Sequence, residues 1–239
     1  MSLDQCGDQY ALALAPDATL ALSPRADDPD SWMRAEAKGR RHIRPTLESA
    51  IAFQPDVVVR YWGGDSRLLA RLEADGVRIL TISDATDFEA VRANIKAVAS
   101  GLGEDARGQA LLARMETRLA DAAPTAGTSR GSAQYLTAGG FTSGPGTLID
   151  AILKAAGFTN ATEAPGFAPV SVERIALFPP ARFILGFFDQ PRSDWRGGGR
   201  HPVIGRAAQG RVAARLPAAT LTCPAWFAAD AAAMLKAGV

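Results

Sequence analysis

The sequence has few of the residues that bind metals or shuttle protons near neutral pH. Its 239 residues include two histidines, His42 and His201, and two cysteines, Cys6 and Cys223. The cysteines form no C-x-x-C pair and no histidines cluster, so neither a structural zinc site nor a polyhistidine metal site is expected. Two separate buried thiols and a disulfide joining the chain ends both remain open. Charge of one sign is also missing: 26 Lys and Arg stand against 25 Asp and Glu, a formal net charge of +1. That balance gives no electrostatic drive toward an anionic membrane surface or nucleic acid, and no nucleic-acid partner is expected. No apolar run reaches the ~20 residues of a spanning helix. Met1-Ser2-Leu3 leads straight into polar sequence, with no visible export signal. Neither G-x-G-x-x-G nor G-x-x-x-x-G-K-[ST] occurs, so no nucleotide cofactor is expected.

What remains is an ordinary globular composition, 47% hydrophobic and 21% charged, in a chain long enough for one large domain or two small lobes. Apolar strands and helical patterns alternate along it. LALS (20–23) reads as a strand, and 46–53 as a helix ended by Pro55-Asp56. DVVVRYW is a β-branched run suited to a buried parallel strand. Residues 66–75 carry Leu68, Leu69 and Leu72 at helical spacing and stop at Asp75-Gly76, after which VRILTIS (77–83) is the next strand. Strand, helix, strand within about thirty residues is a βαβ unit and implies a parallel sheet. A helix over 87–100 ends at Gly101, and a second runs over 104–122. The second half repeats the alternation: strand SAQYLTA, helix 147–156, short helix 171–177, strand RFILGFF, a mostly helical 202–216, strand ATLTC and a last helix over 225–236. The expected organisation is an α/β lobe over 1–103, a bridging helix over 104–124 and a second α/β lobe over 125–239; one continuous domain is the alternative.

In open parallel sheets, ligands bind beyond the carboxyl ends of the strands. Aromatics make up only 7% of the chain, yet all four tryptophans fall in or just after such loops. DVVVRYW ends in Tyr61-Trp62-Gly63-Gly64, YLTA in Gly139-Gly140-Phe141, RFILGFF in Phe187-Phe188-Asp189 with Trp195 beyond, and ATLTC in Cys223-Pro224-Ala225-Trp226; Trp32 follows LALS. Rigid aromatic faces beside glycines suit a flat or bulky ligand held by stacking. The competing use of a loop tryptophan is to cap the core.

Gly64-Asp65-Ser66 matches the tripeptide of GDS-type serine hydrolases. A nucleophilic serine needs a histidine oriented by an acid. His201 has Gly198, not Asp, three residues before it, and His42 has no obvious acidic partner. Asp65-Ser66 is better read as a helix N-cap. No catalytic residue is expected.

These residues, taken in order, resemble the periplasmic substrate-binding proteins of cobalamin and iron-siderophore ABC importers. SLDQCGDQYALAL is similar to that family's first βα turn, and PDVVVRYWGG with LARLEADGVRIL to its third strand and cleft turn. FTSGPGTLIDAILKAAGFTNA is similar to the opening helix of its second lobe, PVSVERIALFPPARFIL to its next helix and strand, and LTCPAWF to its last cleft loop. The resemblance implies two Rossmann-like lobes with parallel-type sheets, bridged by one long α-helix, with the ligand cleft between lobes. It implies a monomeric, periplasmic binder that captures a small-molecule metal chelate, a ferric siderophore or cobalamin, and delivers it to an ABC permease in the inner membrane. The candidate ligand-binding residues are Trp32, Tyr61, Trp62, Gly63, Phe141, Ser143, Phe188, Trp195 and Trp226, with Gly144 beside Ser143. A haem-binding protein of the same fold is the nearest alternative and would need an axial Tyr or His, for which Tyr61 is placed. Arg25, Arg60, Arg192, Arg196 and Arg200 are candidates to neutralise an anionic ferric chelate. The resemblance departs where the family docks through one surface glutamate per lobe: those positions hold Arg67 and Ala228, so that other surface acids, such as Glu36, Glu73 or Asp230, serve instead or docking differs. The first strand is cut short at Met1, which implies a trimmed chain lacking its export signal.

Overall fold

The N-terminal tripeptide is itself part of a parallel sheet. A computed structural model describes residues 1–125, 127–190 and 197–237. The chain divides into two units, one of Met1–Asp84, Ala90–Ala113 and Thr222–Trp226, the other of Ala85–Glu89, Arg114–Leu221 and Phe227–Val239.

In the first unit, helix α1 (Gln5–Leu14) follows residues 1–3. Strand β1 (Ala21–Leu22) pairs in parallel with β2 (Arg41–His42), and β3 (Val57–Arg60) with β4 (Arg78–Thr81). Ser2 N–H donates to Ala21 O at 2.8 Å, and Leu3 N–H to Val59 O at 3.1 Å. Residues 1–3 therefore lie between β1 and β3 and join the two pairs. Val58 and Val59 are buried, as a β-branched central strand requires. Helices α2 (Arg34–Ala37), α3 (Leu47–Phe53) and α4 (Ser66–Ala74) follow their strands. Leu68 and Leu72 of α4 pack on Leu3, Ala21, Ala50 and Val58 to form the core. Thr46 caps α3 by accepting from Ser49 N–H, and Asp65 caps α4 by accepting from Leu68 N–H at 2.8 Å. Gly76, at φ +78°, supplies the left-handed turn that releases the chain from α4.

Helix α5 (Phe88–Leu102) passes through Gly101, where a stop was expected. A Cβ at Gly101 would stand 2.4 Å from a Leu80 methyl, so glycine there serves close helix–strand packing; the chain turns at Gly103, φ +74°. Helix α6 (Asp105–Ala122) contributes residues through Ala113 to the first unit and from Arg114 to the second.

The second unit has a parallel sheet built from β5 (Ser132–Thr137), β7 (Thr159–Asn160), β9 (Phe183–Gly186) and β10 (Val212–Leu216), in the order β10-β9-β5-β7. A short antiparallel ribbon pairs β6 (Phe141–Ser143) with β8 (Phe167–Pro169). Helices α7 (Leu148–Ala155), α8 (Val172–Leu177), α9 (Pro202–Ala208) and α10 (Ala228–Ala237) complete it. The core gathers Leu136, Ile175, Phe183, Leu185 and Ile204.

Two expectations fail here. The segment 202–216 is helical only to Ala208; after Gly210 at φ +72° it becomes β10. Its alanines favour helix, but the free edge of β9 offers a ladder of backbone bonds and outweighs that preference. ATLTC is not a strand. Ala218–Thr220 is a single 3-10 turn, with the Thr220 hydroxyl donating to Pro217 O at 2.8 Å and Ala218 N–H donating to the Asp189 carboxylate at 3.0 Å.

Candidate functional site

At the carboxyl ends of residues 1–3, β1 and β3, the first unit has a cavity of about 400 Å³, lined in part by Asp4, Gln5, Pro24, Arg25, Tyr61 and Trp62. Its organising residue is Asp4, which the sequence reading did not single out. One carboxylate oxygen caps α1 by accepting from Gly7 N–H at 2.8 Å. The other accepts from the backbone N–H groups of Tyr61 and Gly63, each at 2.7 Å. A single side chain thus clamps the turn after β3 to the start of α1. Gly63 permits the approach: a Cβ there would meet Leu3 O at 2.4 Å.

Trp62 projects from this turn 73% exposed, and its ring lies 5.2 Å from the Tyr61 ring at an interplanar angle of 33°. Tyr61 is half-buried, and its hydroxyl donates to the carboxylate of Asp84. Burial first, and then that carboxylate, push the Tyr61 phenol well above its ordinary range.

The loop after β1 is fastened to α1 by polar bonds. Gln5 Nε2 donates to Asp30 Oδ1 at 3.0 Å and Ser31 Oγ at 2.8 Å, and Gln9 Oε1 accepts from Met33 N–H at 2.6 Å. Trp32, half-buried, lies between those anchors. Asp8 accepts from both the N–H (2.8 Å) and hydroxyl (2.5 Å) of Ser23, and burial raises its carboxyl to about 6. Cys6 and Cys223 form a disulfide beside this site, which settles the question left open by the sequence.

In the second unit, Gly140 at φ +89° and Gly199 let the loop after β5 and the 198–200 turn touch: a Cβ on Gly199 would meet Thr137 O at 2.0 Å. Phe141 is half exposed beside this contact. Phe188 lies under two guanidinium groups, Arg200 at 5.0 Å and Arg215 at 5.9 Å. Phe187 holds a left-handed backbone, φ +63°, which is costly for a bulky residue.

The expected site residues therefore separate. Tyr61, Trp62 and Gly63 form one turn, with Trp32 in a neighbouring loop of the same unit. Phe141 and Phe188 lie at strand ends of the other. Trp226 is placed in the core, 1% exposed and edge-on to Tyr10 at 5.5 Å, so it offers no stacking face. Ser143 is fully buried, with its hydroxyl 2.7 Å from that of Thr147. A Cβ on Gly144 would meet Ala164 O at 1.8 Å, so that glycine serves packing. Trp195, Arg192 and Arg196 lie outside the described residues. Arg25 is engaged by Asp28 and Asp30, Arg60 donates to Gly63 O at 2.5 Å, and Arg200 donates to Phe188 O at 3.1 Å. Asp230 is buried and paired with Arg118 at 2.8 Å, which removes it from the surface; Glu36 and Glu73 are exposed. Ser66 opens α4 on the solvent side. His42, for which the sequence offers no obvious acidic partner, has Asp27 3.6 Å from Nδ1, and His201 caps α9 by accepting from Val203 N–H.

Among the described residues, no helix is long and apolar enough to cross a membrane. Residues 3–185 match the sequence model of a family described as periplasmic binding protein, and the chain belongs to that family. A cobalamin-binding protein of Halobacterium salinarum is 27% identical over 135 residues, which are 55% of this chain and 37% of that relative. The match thus spans well under half of the relative's own length. The periplasmic heme-binding protein HutB of Vibrio cholerae superposes with a TM-score of 0.76 at 15% identity, over 99% of this chain and 96% of the other. The periplasmic vitamin B12-binding protein BtuF of the same organism gives 0.59 at 20% identity, over 99% and 94%. At such identities these structures establish the fold alone.

Proposed function

We propose that this periplasmic binding protein family member captures a bulky metal chelate, a cobalamin or a ferric siderophore, on the Tyr61-Trp62 turn and delivers it to an ABC permease of the inner membrane. The observation that carries the proposal is the Asp4 clamp. Trp62 stands 73% exposed beside the Tyr61 ring, and the backbone on either side of it is fixed by two charge-assisted bonds donated to the Asp4 carboxylate, whose other oxygen caps α1. Fixing the turn before the ligand arrives lowers the entropy lost on binding. Gly63 and Gly64 let the turn lie close against Leu3. The match to a cobalamin-binding protein supports the same ligand class.

The protein works as a periplasmic monomer in this reading. The Cys6–Cys223 disulfide is at home in that oxidising compartment. Glu36 and Glu73, both exposed, are candidate acids for permease docking in place of Arg67 and Ala228. Haem is the second reading, favoured by the fold shared with HutB and by the phenol at the strand end. The deciding experiment titrates intrinsic tryptophan emission with cyanocobalamin, a ferric hydroxamate and hemin. Saturable quenching by the first or second, with a dissociation constant near or below about 1 μM, is expected; no response to either would refute the proposal.

A further inference from the structure

Tyr61 and Asp84 follow the neighbouring parallel strands β3 and β4. Arg60 pairs with Thr81 in register, and Ile82 N–H donates to Arg60 O at 2.8 Å, so the residues beyond β3 and β4 leave the sheet side by side. The Tyr61 hydroxyl then reaches the Asp84 carboxylate and donates to it. We infer that Asp84 sets the ligand class at this site: it holds Tyr61 as a neutral phenol, a stacking face rather than a metal ligand, and thereby selects chelates whose metal is already fully coordinated. The inference rests on the function proposed above and narrows it.

A tyrosine binds a metal as tyrosinate, because ligand atoms must be deprotonated. Asp84 opposes that in two ways. Its carboxylate takes the proton in a hydrogen bond that ionisation would destroy, and it would face the phenolate as a like charge. No compensating cation is aimed at the hydroxyl from the adjoining strand: Arg60 directs Nε to Gly63 O at 2.5 Å and Nη1 to Thr81 Oγ1 at 3.5 Å. Asp4, an acid that does line the cavity, spends both oxygens on three backbone N–H groups. Among the described residues, no group of three or more His, Cys, Asp and Glu is placed to hold a metal ion. The wall built by the first unit offers stacking and hydrogen bonding, and no open ligand. A six-coordinate corrinoid or a saturated ferric siderophore suits it; haem with an empty axial position, or bare ferric ion, does not.

The test compares wild type, Asp84→Asn and Tyr61→Phe. Without ligand, spectrophotometric titration of the phenols should show a transition in Asp84→Asn that is shifted to lower pH and is absent from Tyr61→Phe; an unshifted transition would overturn the inference. Cyanocobalamin and aquocobalamin should bind wild type within about threefold of each other, with unperturbed visible bands. Aquocobalamin binding more than about tenfold tighter, with the advantage lost in Tyr61→Phe, would overturn it. So would a tyrosinate-to-iron charge-transfer band with hemin in wild type that Tyr61→Phe abolishes. If neither cyanocobalamin nor a ferric hydroxamate binds while Asp84→Asn moves the phenol transition, the function proposed above falls and the Tyr61–Asp84 lock stands.

Discussion

Asp4 and Tyr61 are joined across 57 positions of sequence, the Asp4 carboxylate accepting from the Tyr61 backbone N–H at 2.7 Å. The bond makes the geometry of an exposed aromatic turn depend on the residue that caps the first helix. Asp4→Ala leaves the N–H groups of Gly7, Tyr61 and Gly63 without their acceptor. A loss of about 2–4 kcal/mol in unfolding free energy is expected by denaturant titration. Chelate affinity should fall with it, because the turn is no longer fixed.

The Cys6–Cys223 bond spans 217 positions and closes nearly the whole chain into one loop. Cross-linking so long a loop restricts the unfolded chain strongly. Replacing both cysteines by serine should cost about 2–5 kcal/mol. Thermal unfolding with and without reductant measures the same effect on wild type.

Asp8 gives a pH dependence of definite sign. Its carboxyl is raised from 3.8 to about 6 in the fold, first by desolvation, so the native state holds its proton where the unfolded chain has released it. Its stabilising contribution is complete below about pH 4 and is lost as pH rises through about 6. The magnitude is roughly 2–3 kcal/mol. Asp8→Asn keeps the acceptor toward Ser23 N–H, turns the second contact into a donor toward the Ser23 hydroxyl, and should flatten the stability profile between pH 4 and 6 relative to wild type, as read by unfolding at each pH.

Trp226 is a core residue, so Trp226→Ala should destabilise by about 3–5 kcal/mol. Trp226→Phe fills much of the same volume and should bind chelates with wild-type affinity. A selective loss of affinity in Trp226→Phe at unchanged stability would return this residue to the ligand site.

Much of the local structure was legible because its signals are local. Thr46, Asp65, Thr147 and Ser171 each cap the helix that follows, and Gly76 and Gly157 stop helices at positive φ. The parallel pairing of β3 with β4 followed from a β-branched run, a helix and a second run. What escaped depends on distant partners. The segment 212–216 carries helix-favouring alanines and becomes a strand only because β9 is beside it. The site divides the same way. Tyr61, Trp62 and Gly63 are legible as candidates because the aromatic pair and glycines adjoin a strand end. Asp4 carries a visible cap signal, but nothing in sequence links it to residues 57 and 59 positions away. Asp84 acquires meaning only through strand register. Trp226 lies in the core instead; a tryptophan in a loop reads alike in sequence whether it caps the core or meets a ligand.

The central claim, that the Tyr61-Trp62 turn is a stacking surface for a metal chelate, is tested most directly by calorimetric titration of Trp62→Ala beside wild type with cyanocobalamin and a ferric hydroxamate. Trp62 is exposed, so its removal should leave unfolding free energy within about 0.5 kcal/mol of wild type. The expected result is a fall in chelate affinity of about tenfold or more, close to 1.4 kcal/mol, at unchanged stability. Equal affinity in the two proteins would contradict the claim.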